Sequence, residues 1–441
     1  MRNLSTAAVV FLMALALPVQ AEEELPYTTY TSFDKVMGAR DARYPAITRV
    51  SDPGPPSKPA YTGFFFYQVL QFDSTGRYLL GLKVGFQSRD VRADDRGDVG
   101  YIDLEDNFKW TKIGETTAWN WQQGNRVQWR PKSDEIVWND RSDDGKTFVC
   151  RTYDFRTGGR RTLPRPIYDL SPDGTTALTH DYERMNDFKG TEYVGIQDKY
   201  EKEFAPSQTG IWKMNMESGK AEMIISLEQM AKIAYPKGLP GSGHLYFFRE
   251  GWNPSGTRLV TFIKDHANNL FQAYSMTSEG GDVRHFYANP SHHTWIDDNH
   301  IMDFGRHIPP GGTSPMGGYY VFKDDGTGQA RELLWPTNFD GHDSLLPGRY
   351  SDWIISDTYV LVGYQYLFLF HRPTKLFVPL AKLKSTAEHV PNFTGEWRVD
   401  LHPRFSRDGR KVCIDSTYEG LGRQMYVIDI GYILDRPPVG R

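Results

Sequence analysis

Five stretches of the chain repeat one short pattern: a large apolar residue, a tight turn built from Ser, Pro, Asp and Gly, then a β-branched run. They are QFDSTGRYLLGL (71–82), QWRPKSDEIVW (128–138), DLSPDGTTALT (169–179), GWNPSGTRLVTF (251–262) and RFSRDGRKVCI (404–414). Two looser copies, TWIDDNHIMDF (294–304) and SLLPGRYSDWIISD (344–357), bring the count to seven. Strand-built repeats of about 40–50 residues predict a radial array in which each unit supplies one blade. The expected fold is therefore all-β, a seven-bladed β-propeller. Such a ring brings the inner strand of every unit to one axis, so equivalent residues meet however far apart they lie in sequence.

The anchors of the seven turns are Phe72, Trp129, Leu170, Trp252, Trp295, Leu345 and Phe405, at steps of 41 to 60 residues except for one of 82. The long step holds a charged segment, 180–204, which reads as an insertion on one rim; eight blades are the alternative. Between turns, period-two alternation bounded by Gly, Asp, Asn or Ser marks further strand pairs, as in FQAYSMTSEGGDVRHFY. A length of 441 residues would by itself suggest two or three domains, but seven four-stranded blades fill it as one.

Residues 1–21 read as an export leader, with Arg2, an apolar run from Ala7 to Leu17, and Val19-Gln20-Ala21 as the cleavage site. The run is short for a membrane span, so a periplasmic or extracellular location is expected, with no span after cleavage; an uncleaved anchor is the alternative. Residues 22–60 form an irregular lead-in that could give a strand to the ring-closing blade, 61–431 the propeller, and 432–441 a tail. A net charge of −4 lacks the basic surplus that nucleic-acid binding needs. The two cysteines, Cys150 and Cys413, fall in non-neighbouring units and read as buried thiols. Aromatic residues make up 14%, which suits strand packing and also sugar stacking.

Counting back three residues from each anchor gives Val69, Arg126, Ile167, Arg249, His292, His342 and His402. A fixed offset before an equivalent turn selects equivalent positions, because side chains alternate faces along a strand. Three consecutive units thus place an imidazole at one point. Five residues before two of the anchors stand Asp340 and Asp400, on the same face. Histidines bonding the backbone at the blade mouths are one reading. The other is a metal site of His292, His342, His402 and Asp400, suited to Mn²⁺ first, then Zn²⁺, Fe²⁺ and Ca²⁺. His293 and His244 are candidates for a general base, each also readable as structural. Arg249 is the first candidate to pair with a substrate carboxylate, with Arg126 and Arg306 nearby; Arg398 either binds substrate or neutralises Asp400. There is no GxSxG nucleophile elbow, P-loop, dinucleotide fingerprint or CxxC pair.

The turn units resemble the propeller repeats of TolB-type periplasmic proteins. In the C-terminal half, SHHTWIDD, MGGYYVFKDDG, DGHDS, ISDTY and GEWRVDLHPRFSRDGRKVCIDSTYEGLGRQMYVIDI resemble secreted bacterial propeller proteins related to oligogalacturonate lyases. The resemblance covers about 285–431, and the first half only through its repeats. It implies a divalent metal, usually manganese, held at the propeller mouth by histidines and a glutamine, where it binds a uronate carboxylate. His292 resembles the ligand before a Trp turn, and His402 the ligand in a His-Pro step. Asp400 stands where the family has a further His, and Trp397 where it has Gln. His342 rests on the offset alone. The function expected is a lyase that cleaves an acidic oligosaccharide by metal-assisted β-elimination. A non-catalytic propeller binding carbohydrate or protein is the alternative, and a hydrolase using Asp340 and Asp400 a third.

Overall fold

The apolar runs become strands that pair with their neighbours in sequence, and a computed structural model describes residues 27–185, 191–385 and 397–436. The expected leader at 1–21 lies outside the described residues. The strands form seven four-stranded antiparallel sheets, a seven-bladed propeller, and among the described residues the long step holds no eighth blade. The inner strands of blades 1 to 7 are Tyr61–Gly63, Gln128–Trp129, Asp169–Leu170, Tyr246–Trp252, Thr294–Asp297, Asp343–Leu345 and Arg404–Phe405. Six of the seven anchors fall in these strands.

Blade 7 is closed by the lead-in: Ile47–Arg49 pairs with Gln424–Asp429 as its fourth strand, Ile47 opposite Ile428. Ring closure of this kind leaves no long open sheet edge. Between neighbouring blades the outward faces are apolar. Leu367, Leu369 and Val378 of blade 6 pack with Val412, Ile414 and Tyr426 of blade 7, all buried. No helix among the described residues is long and apolar enough to cross a membrane.

The repeated turn has a physical cause. Asp73 accepts from the backbone N–H of Thr75 and Arg77, Asn253 from those of Thr257 and Arg258, and Ser406 from that of Lys411. Side chains of these types close such turns by bonding the backbone just ahead. The turn also needs a left-handed residue, and Gly174 supplies it at φ 75°; a Cβ there would run into the Pro131 carbonyl.

The charged insertion joins the second and third strands of blade 3, Thr176–His180 and Gly210–Asn215. Two of its tyrosines are buried, Tyr182 stacking on Tyr193 at 4.2 Å, and Asn139 of blade 2 bonds the Tyr193 hydroxyl. Cys150 and Cys413 are separate, buried and free, and burial raises both thiols above their ordinary range. A thiol reagent is expected to label neither in the native protein and both after unfolding. Native labelling at either position would contradict their burial.

Candidate functional site

One mouth of the ring opens into a cavity of about 260 Å³, and the loops entering blades 5, 6 and 7 each send an imidazole into it. His292 and His342 lie 4.3 Å apart by ring centroid, His342 and His402 4.1 Å. Ligand atoms of His342, Asp400 and His402 all lie within 4.8 Å of one another. The offset argument thus brings its three histidines together, with Asp400 beside them and His292 at the outer end of the row.

The second strands hold this row in place. Asp357 accepts from the backbone N–H of His342 at 2.6 Å and of His402 at 3.0 Å, bridging blades 6 and 7. Asp303 does the same in blade 5 for Ser291 and His292. His402 and Arg249 sit in left-handed backbone, φ 48° and 57°, and the blade 4 ladder slips between Phe248 and Gly251. Non-glycine residues rarely adopt that region, and such local strain, of order 1–3 kcal/mol each, is found where a side chain must be aimed.

Three observations fit a divalent cation. Burial, and after it the surrounding arginines and histidines, holds His292 well below the usual histidine range, and burial does the same to His402; both are neutral, the ligating form. His342 Nδ1 lies 3.1 Å from Asp357 Oδ1, an arrangement that fixes the ring and leaves Nε2 as the acceptor. His402 Nδ1 is buried with no hydrogen-bond partner among the described residues, a costly state for a ring nitrogen left unfilled. Asp400 also accepts from Arg398 Nε at 3.0 Å, so an ion would share it with a guanidinium.

Arg249 and Arg398 line the same cavity. Arg249 donates from Nη1 to the Ser291 carbonyl, while its Nε is buried and unpartnered among the described residues, a donor left for an anion. The other sequence candidates stand elsewhere. Arg126 is buried behind the wall, its Nε 2.9 Å from the Tyr168 carbonyl and its guanidinium stacked on Tyr168. Arg306 is exposed on the second strand of blade 5, because strand alternation turns it outward. His293, in the bent segment that precedes the inner strand of blade 5, points away from the cavity: its Nε2 lies 3.1 Å from Gln68 and its ring packs on Phe262. His244 bonds the Arg184 carbonyl at 2.8 Å and lines a separate recess with Tyr246 and Asp265. Neither histidine reaches the cavity expected of it. Trp397 lies in an apolar cluster with Trp119 and Trp121 rather than on the cavity wall.

Several cavity residues carry no signal in the turn repeat. Blade 1 leaves its ladder after Gly63 and rejoins it only at Phe72, and the detour pushes Phe66 and Tyr67 across the axis. Tyr67 packs against all three rings, at 5.8 Å from His292, 5.6 Å from His342 and 6.5 Å from His402. Gln122, Gln123, Lys264 and Tyr359 also line the cavity. The two supporting aspartates did leave a trace, each being the acidic residue within or ending an apolar second strand (MDF for Asp303, ISD for Asp357). A larger recess of about 560 Å³ opens by the turns of blades 3 and 4 and holds none of the expected site residues.

Fold and site together define a seven-bladed propeller with a histidine-lined axial mouth. Two solved structures are similar over nearly the whole chain. Oligogalacturonate lyase from Vibrio parahaemolyticus is 12% identical, with 89% of this chain and 95% of that one covered and a TM-score of 0.57. Oligogalacturonate lyase in complex with manganese is 14% identical, with 93% and 98% covered and a TM-score of 0.62. TolB from Acinetobacter baumannii is a looser likeness, 14% identical over 74% of this chain and 66% of that one, at a TM-score of 0.36. At these identities the likeness is one of fold. No family model matches the sequence, and no curated protein matches it.

Proposed function

We propose that this propeller is an exported, periplasmic or extracellular, lyase that cleaves uronate-containing oligosaccharides by β-elimination. The observation that carries the reading is the row of three neutral or carboxylate-oriented imidazoles from consecutive blades, in one cavity with two arginines. Held by His292, His342, His402 and Asp400, a divalent ion, Mn²⁺ before Zn²⁺ or Fe²⁺, would supply Lewis-acid polarisation of the substrate carboxylate. Arg249 pairs with the same carboxylate through its unpartnered donor, and Arg398 adds a second cation beside Asp400. Two cations facing one carboxylate spread the charge that develops when the neighbouring C5 proton leaves. Phe66 lines the cavity and Tyr67 packs against the three histidine rings.

The test is a panel of uronate oligosaccharides with Mn²⁺, followed by the ultraviolet absorbance of the C4–C5 double bond. Product that absorbs, and none in the presence of a chelator, is the expected result. Binding of the same sugars without any unsaturated product would make the propeller a carbohydrate-binding module instead.

A further inference from the structure

We infer that Lys264 is the residue that removes the C5 proton, an assignment that rests on the lyase reading above. Elimination needs an acceptor in the cavity, and among the described residues that line it few can serve. The three histidines are committed to the ion, Arg249 and Arg398 hold their protons too tightly, and burial pushes Tyr359 far above the ordinary phenol range. The remaining ionisable side chain is an amine.

Lys264 lies on the second strand of blade 4, Arg258–Asp265, opposite Tyr246 on the inner strand and Phe271 on the third. Its ammonium sits 4.5 Å from the centre of the Phe271 ring, and Phe248, Phe271 and Pro290 form the apolar part of the wall around it. Asp265, next in the chain, faces away and accepts from Tyr235 and Asn268. Burial, and then the charge of Arg249, lowers the Lys264 ammonium to about 8, so a working fraction is neutral near pH 7. The geometry therefore sets a carboxylate-binding guanidinium and a proton-accepting amine in one cavity, both from blade 4.

In the step, the Nζ lone pair takes the C5 proton. The C5–H electron pair becomes the C4–C5 double bond, and the C4–O bond breaks with its pair going to the leaving glycosyl oxygen. That oxygen is protonated by water, and Lys264 returns its proton to solvent.

Lys264→Arg keeps the cation but cannot release a proton, whereas Lys264→Ala removes both. Both are expected to lower kcat by about 10²–10⁴-fold, with oligouronate affinity by calorimetry and Mn²⁺ content kept within a few-fold. Added primary amine is expected to restore part of the Lys264→Ala rate. Turnover by Lys264→Arg within ten-fold of the parent overturns the assignment while leaving the lyase reading intact. Loss of Mn²⁺ or of sugar binding in both variants also overturns it, making Lys264 structural. A parent protein that forms no unsaturated product fails one step earlier, at the reading itself.

Discussion

His402→Ala is expected to lose the divalent ion and the lyase activity together. His402 is the ring in closest company, 4.1 Å from His342 and within ligand range of Asp400, and its backbone is bent into the left-handed region to put it there. Removing it breaks up the one close group of ligand atoms and leaves His342 and Asp400 with only His292, which stands outside that group. The affinity for Mn²⁺ should fall by more than about 100-fold, beyond the 10–100-fold typical of losing an outer partner. Asp357→Ala supplies that lesser case, since Asp357 touches the Nδ1 side of His342 and two backbone N–H groups. Exposed Arg306→Ala is the control, expected to change neither. Elemental analysis after dialysis reads the outcome, and undiminished metal in His402→Ala would remove this histidine from the site.

Asp415→Ala is expected to have the largest effect on stability, about 3–5 kcal/mol, the range for leaving one member of a buried ion pair alone. Arg423 and Asp415 are 1% and 0% exposed, with Nη1 2.9 Å from Oδ2. The same carboxylate accepts from the backbone N–H of Phe64 and Phe65, where blade 1 begins its detour beneath the histidines. Arg423 also donates to the carbonyls of Trp121 and Arg398. The pair therefore ties blade 7 to blade 1 at the seam of the ring. Denaturant unfolding measures the loss, and a variant within 1 kcal/mol of the parent would show that the seam does not depend on it.

Much of the ring was legible in the chain because its signal is local. A turn closed by Asp73, Asn253 or Ser406 and opened by a left-handed glycine is fixed by residues within five positions of one another. The apolar runs that follow are buried almost without interruption, as across Leu259–Ile263, because both faces of a blade pack against its neighbours. The lead-in strand was legible only as a possibility, since Ile47–Arg49 is too short to announce itself and gains its partner from the far end of the chain. The histidine row was legible for the same reason as the turns, being set at a constant offset from them.

The rest of the site lies outside that logic. Of two adjacent histidines, 292 enters the cavity and 293 packs on Phe262, a choice made in the bent segment before the strand. Arg126 and Arg249 share an offset and a left-handed backbone, yet one is drawn behind the wall by the Tyr168 carbonyl and the other reaches the mouth. Lys264 and Tyr67 arrive from a second strand and from a detour, neither of which repeats.

A ring of blades and a common point for imidazoles 292, 342 and 402 could be read from the chain alone, because both follow from short-range spacing repeated along it. Which cations share the cavity with those rings emerged from the folded ring. Side-chain direction at a ring mouth depends on bulges, left-handed residues and carbonyls contributed by neighbouring blades, and these are long-range contacts that no local pattern encodes.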